Sequence, residues 1–129
     1  MYNQAQNQYA MMQINTASPG ELTLMLYNGC IKFMKLALKG IQEQNYELKN
    51  INILKSQNIL DELLITLDMK YEISKNLSSL YIFMKEKLVE ANIKLNADSL
   101  NVCVELITEL RDTWVEAIKL TKRNVQVQA

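Results

Sequence analysis

The sequence contains no histidine, one proline, three glycines and two cysteines in 129 residues. Each shortage excludes something. Without histidine the chain lacks the usual general base, the commonest zinc ligand and the Glu-x-x-His motif of di-iron bundles. So few Gly and Pro leave little punctuation for a many-stranded fold and favour long, unbroken helices. Two isolated cysteines, Cys30 and Cys103, point to buried thiols rather than a disulfide. Charges balance, with 14 Lys plus Arg against 14 Asp plus Glu, so the basic excess of a nucleic-acid binder is missing. No apolar run reaches the roughly 18 residues of a membrane span, and the Gln/Asn-rich N-terminus lacks the apolar core of a signal peptide. Together these absences predict a cytoplasmic protein that is not an enzyme, holds no metal or cofactor, binds no nucleic acid and does not insert in a membrane.

What is present reads as helix. Hydrophobic residues make up 49% and charged residues 22%, a globular balance for a single domain. Residues 1–17 form an expected mobile N-terminal arm without a strong helical pattern. Ser18-Pro19-Gly20-Glu21 then gives a start signal, with Ser18 as cap, Pro19 at the first helical position and Glu21 completing a capping box. A first helix is predicted from Pro19 to about Gln44, with Gly40 as a weak stop, and a second from Tyr46 to Asp68. The connection Met69-Lys70-Tyr71 is short, so the third helix must lie antiparallel to the second. Its stripe is Ile73, Leu77, Leu80, Met84, Leu88, Ala91 and Leu95, at steps of three and four. Asn96-Ala97-Asp98-Ser99 reads as a turn and cap, and the fourth helix carries Leu100, Cys103, Val104, Ile107, Leu110, Trp114 and Ile118. The expected fold is all-α, an antiparallel up-down-up-down four-helix bundle over residues 18–120 with a frayed tail over 121–129.

The helices carry more apolar surface than four core stripes require. Helix 1 has one stripe of Leu22, Met25, Leu26, Gly29, Phe33, Leu36, Ala37 and Gly40, and a second of Leu24, Tyr27, Ile31, Met34, Leu38 and Ile41. Either it is the most enclosed helix of the bundle or it shows a face to a partner. On helix 3, Ile82, Val89 and Ile93 lie about half a turn from the core stripe, and on helix 2 Ile51, Leu54 and Ile65 sit off the main stripe. Aligned outward strips of this kind mark an interface or a bundle that is not four-square. Tyr27 and Tyr81 are further contact candidates, each pairing an apolar ring with a hydroxyl. Glu105, Glu109, Asp112 and Glu116 share one face of helix 4 at the spacing of a solvated face rather than of a metal site. Trp114 reads as a core or rim anchor, with an interface hot spot as the alternative.

In order along the chain, these residues resemble the flagellin-specific export chaperone family, FliS. The resemblance begins at Tyr9 and Ile14, passes Thr16-Ala17-Ser18-Pro19 and Leu22, and continues through Met25-Leu26-Tyr27-Asn28-Gly29. It resumes at Gln57-Asn58-Ile59-Leu60-Asp61-Glu62-Leu63, Leu67-Asp68, Ile73 and Asn76-Leu77. Leu80-Tyr81, Met84, Leu88, Ala91-Asn92, Leu106, Leu110-Arg111 and Trp114 close it, so residues 9–118 are covered. Each motif alone is a helical apolar pattern; their order is what is specific. Two departures stand out: Met69-Lys70-Tyr71 where the family often has Gly, and Cys30 following Gly29 where it tends to have Ala.

The resemblance implies a cytoplasmic chaperone that binds the disordered C-terminal segment of flagellin, prevents premature polymerisation and aids delivery to export-gate components. Client contacts are expected at Ile51, Leu54, Ile65, Ile82, Val89 and Ile93, with Tyr27 and Tyr81 in support. The family also suggests an N-terminal gate, with Tyr9, Met12 and Ile14 covering the groove when no client is bound; removing residues 1–15 should then tighten client binding. The rival is a self-associating structural bundle whose outer strips form a homodimer.

Overall fold

The computed structural model describes residues 18–128, with side chains through residue 122. Four helices follow one another: α1 (Pro19–Gln42), α2 (Tyr46–Ile65), α3 (Glu72–Lys94) and α4 (Ala97–Gln128). Neighbours pack in a closed ring, α1 on α2, α2 on α3, α3 on α4 and α4 on α1. This is the all-α antiparallel four-helix bundle the apolar periods predict, and the described residues hold no strand.

Local chemistry explains the helix ends. The Ser18 side chain accepts from the Glu21 N–H at 3.2 Å, satisfying one of the open donors of the first turn. The Glu21 carboxylate does not complete the expected box; it turns instead to Lys122 on α4, at 3.5 Å. Asn45 caps α2 by accepting from Leu48 N–H at 3.1 Å. At the start of α4 the cap is Asn96, whose side-chain oxygen accepts from Asp98 and Ser99 at 3.0 and 3.3 Å, so Ser99 belongs to the helix. Just before it, α3 ends at Leu95 in the left-handed region with φ 53, and the Asn96 N–H closes back to the Ala91 carbonyl at 3.2 Å. Helix α4 continues beyond Leu120 to Gln128, because no Gly or Pro interrupts it there.

Gly40 does not stop α1. A Cβ at that position would lie 2.6 Å from the Lys49 backbone nitrogen; the glycine lets α1 and α2 approach closely where they meet. The core is built from Met34, Leu60, Met84, Leu88, Leu100 and Ile107, all fully buried. On α1 the inward residues are Tyr27, Cys30, Ile31, Met34, Ala37 and Gly40: the stripe ranked second in the sequence supplies Tyr27, Ile31 and Met34, the first supplies Ala37 and Gly40, and Cys30 lies between them. The rest of the first stripe, Leu22, Met25, Leu26, Gly29, Phe33 and Leu36, is half-buried, and α1 exposes no large hydrophobic residue. It is the enclosed helix.

Three polar residues of α2 are buried: Lys49, Asn52 and Ser56. Each has a partner, as burial demands. Lys49 donates to the Asn92 carbonyl of α3 at 3.2 Å, while Asn52 and Ser56 donate back to Leu48 and Asn52 carbonyls at 2.8 Å. Among the described residues, no helix is long and apolar enough to cross a membrane.

Candidate functional site

The α2–α3 pair is held antiparallel by the Lys49–Asn92 bond at one end and by an ion pair between Lys85 and Asp61 nearer the other. Rotation by about 100° per residue then fixes which side chains flank the seam. Leu54 and Ile65, with Ile51 beyond them, come up on the solvent side of α2, and Ile82, Val89 and Ile93 on the solvent side of α3. All six are exposed, and Ile65 and Ile93 reach 75%. The structure therefore brings the six aliphatic candidates onto one side of the bundle, in two strips separated by the Asp61–Lys85 pair. Moving such a side chain fully out of water contributes roughly 1.5–3 kcal/mol, and less at Ile51, Ile82 and Val89, which are already about half-buried.

The two tyrosines are placed otherwise than expected. Tyr27 and Tyr81 are each only 1% exposed, and their hydroxyls meet at 2.5 Å across the bundle diagonal. One hydroxyl donates to the other, so neither offers its polar end to a surface contact. Burial pushes both phenols above their ordinary range, and the bond between them pushes Tyr81 further up. The Trp114 ring stands edge-on to Tyr27 with centroids 6.3 Å apart, and its Nε1–H donates to the Gly20 carbonyl at 2.8 Å. The expectation of Trp114 as a rim anchor holds in this form.

Over the tyrosine pair lies a cavity of about 350 Å³, walled by Leu22 and Leu26 of α1, Leu67 of the connection, and Ile73 and Leu77 of α3. No sequence reading located it, because it is assembled from helix ends far apart in the chain. Ile73 illustrates the reason. It opens the α3 stripe yet is 64% exposed, since α2 ends at Ile65 and no described residue beyond covers it. Met69 and Tyr71 of the connection are exposed beside it, extending the apolar side toward the cavity. The gate candidates Tyr9, Met12 and Ile14 lie outside the described residues.

Both thiols are buried, and burial raises Cys30 and Cys103 to about 12. Neither forms a thiolate near neutral pH, so neither is a nucleophile there. The described residues contain no cluster of three or more groups able to hold a metal ion. What the described residues offer on this side is exposed apolar contact area.

Comparison with known proteins points to one family. The family model described as "Flagellar protein FliS" matches residues 1–121. The flagellar secretion chaperone FliS of Bacillus subtilis is 43% identical over 122 residues, covering 92% of each chain. The protein of the same name from Campylobacter jejuni is 31% identical over 116 residues, 88% of this chain and 91% of its own. That from Escherichia coli is 28% identical over 108 residues, 81% and 79% respectively.

Proposed function

The chain belongs to the FliS family of flagellar secretion chaperones, and on that premise we propose that it binds the disordered C-terminal segment of flagellin in the cytoplasm, prevents its premature polymerisation and aids its delivery to the export gate. The observation that carries the reading is the double strip along the α2–α3 seam, where Ile51, Leu54, Ile65, Ile82, Val89 and Ile93 stand exposed. A helix with an apolar stripe buries that stripe by lying along such a seam, and a disordered segment folds as it does so. Surfaces of this kind suit an export chaperone: they shield a client's apolar face without altering it chemically.

The deciding experiment is calorimetric titration with the C-terminal segment of flagellin, run at several temperatures, with and without residues 1–15. Saturable one-to-one binding with a negative heat-capacity change is expected. Absence of binding to both forms overturns the reading. The same exposed strips also support pairing between two copies of the chain. Sedimentation at several concentrations separates the two readings: a concentration-dependent dimer indifferent to the flagellin segment favours self-association.

A further inference from the structure

Charge is sorted by helix in this bundle. From Leu22 to the end of α1, and over residues 48–60 of α2, there are five lysines and no Asp or Glu; all 14 acids lie elsewhere in a chain of zero net charge. One of the five, Lys49, is buried on the Asn92 carbonyl. The other four, Lys32, Lys35 and Lys39 of α1 and Lys55 of α2, are exposed. Steps of three and four residues place the α1 lysines in one strip about 10 Å long, on the side opposite the buried face of that helix. Lys55 joins them across the α1–α2 seam at Phe33. Its ammonium lies 5.2 Å from the ring centroid, and that of Lys32 lies 5.6 Å from the same centroid. None of the four has a carboxylate within 4.0 Å among the described residues, whereas every described Lys or Arg from Lys70 onward except Lys94 has one. Glu43 and Glu47 come after one end of the strip in the sequence and Glu62 follows Lys55, so α1 and α2 place no acid within it.

We propose that Lys32, Lys35, Lys39 and Lys55 form a docking face for an acidic segment of a partner protein, separate from the apolar seam of α2 and α3. The Phe33 ring gathers ammonium groups from two helices, and with no counter-charge beside them their mutual repulsion is relieved when carboxylates arrive. A helix with acids at steps of three and four matches the strip in sign and spacing, and a basic one is rejected. Each exposed pair is weak alone, so the face works through several at once and through charge-steered approach. The chain's own ends do not supply the occupant: residues 1–17 contain no charged residue, and residues 121–129 contain only Lys122 and Arg123. A lipid surface fits less well, because α1 exposes no large hydrophobic residue to anchor in it. The face goes beyond the flagellin reading and does not rest on it.

The test uses the full chain, isotope-labelled, in low salt, where exposed charges are least screened. It is titrated with a synthetic Ala-based helix of about 18 residues, or five turns, carrying Glu at steps of three and four and no larger apolar residue. The same peptide with Gln in place of Glu, and vesicles of phosphatidylcholine with phosphatidylserine, are run beside it. The Glu peptide is expected to saturate one site and to move the amide signals of Lys32, Lys35, Lys39 and Lys55. The Gln peptide should leave those signals in place, and the vesicles should not carry the chain down on sedimentation. Lys35→Gln with Lys39→Gln should weaken the Glu peptide about ten-fold. Lys75→Gln with Lys119→Gln makes the same change of net charge away from the face and should leave the affinity within about two-fold. Signals moving elsewhere, binding of the Gln peptide, equal losses in the two variants, or vesicle capture through the same lysines would each overturn the proposal. The peptide carries no apolar stripe for the α2–α3 seam, so its titration decides this face whether or not the flagellin segment binds.

Discussion

Helices α1 and α3 invert the usual reading of apolar content. Helix α1 carries two full apolar stripes and exposes none of its large hydrophobic residues. Helix α3 carries one stripe and a few extra aliphatics, yet Ile73, Ile82, Phe83, Val89 and Ile93 all reach solvent. Both helices touch α2 and α4, so the number of neighbours is not the cause. The difference lies in how closely they approach. At Gly40 the backbone of α2 comes within 2.6 Å of where a side chain would begin, and at Gly29 Ile59 fills the gap at 3.3 Å. Neither α2 nor α3 contains a glycine. That seam is bridged by long side chains, Lys49 and Lys85, which hold the helices while leaving their shoulders open. An apolar residue becomes an interface residue by lacking a neighbour, not by being one of many.

The sharpest way to break this contrast is to truncate one aliphatic on each helix. Met34→Ala removes a fully buried side chain of α1 and should cost about 2–5 kcal/mol in urea unfolding. Ile93→Ala on α3 should cost no more than about 0.5 kcal/mol, as surface changes do. Equal costs would mean that the α3 strip is structural. Next in size, Val89→Glu combined with Ile93→Glu should weaken flagellin-segment binding more than ten-fold, about 1.4 kcal/mol, while the melting midpoint holds. Unchanged affinity in calorimetry would remove the strip from the client site.

A smaller effect separates inside from outside by pH. Cys30 and Cys103 are raised by burial from 9.0 to about 12. The folded state therefore holds these protons more tightly than the unfolded chain does. Their contribution is complete below pH 9 and is lost as pH rises from about 9 towards about 12, on the order of 1 kcal/mol per thiol for the first pH unit. Urea midpoints measured between pH 8 and pH 10.5 should fall accordingly, and fall less in a Cys30→Ala, Cys103→Ala variant. The buried phenols of Tyr27 and Tyr81 act in the same direction. Smallest of all, Tyr81→Phe deletes half of the hydroxyl pair and should destabilise by about 1 kcal/mol. A loss near zero would mean that water or another acceptor already serves Tyr27.

The bundle was legible in the sequence because an amphipathic helix repeats its apolar residues every three or four positions, and α3 and α4 do so cleanly. The outward strips were legible for the same reason: Ile82, Val89 and Ile93 fall roughly 140–180° around the helix from Met84. Rotation of α1 was not legible, since two stripes of equal quality allow either to face inward. Tyr27 and Tyr81 read as contact candidates, because a phenol suits a surface contact and nothing local marks it as core. Only the hydroxyl partner 54 residues away settles them. Lys49 carried no sign of burial, because the carbonyl that receives its ammonium belongs to another helix. Ends of helices are where one-dimensional periods lose force, which is why Ile73 came out exposed and why the cavity above the tyrosines had no signature.

Trp114 is the single tryptophan of the chain, and its indole is tied to the first turn of α1 at Gly20 and set against Tyr27. The molecule thus carries its own optical label at the rim of that cavity. Ultraviolet light absorbed by Tyr27 passes to the indole 6.3 Å away, and the wavelength of the indole's emission follows the wetness of its surroundings. A shift in emission colour, followed in a stopped-flow instrument, reads the arrival of anything that settles there without an added dye.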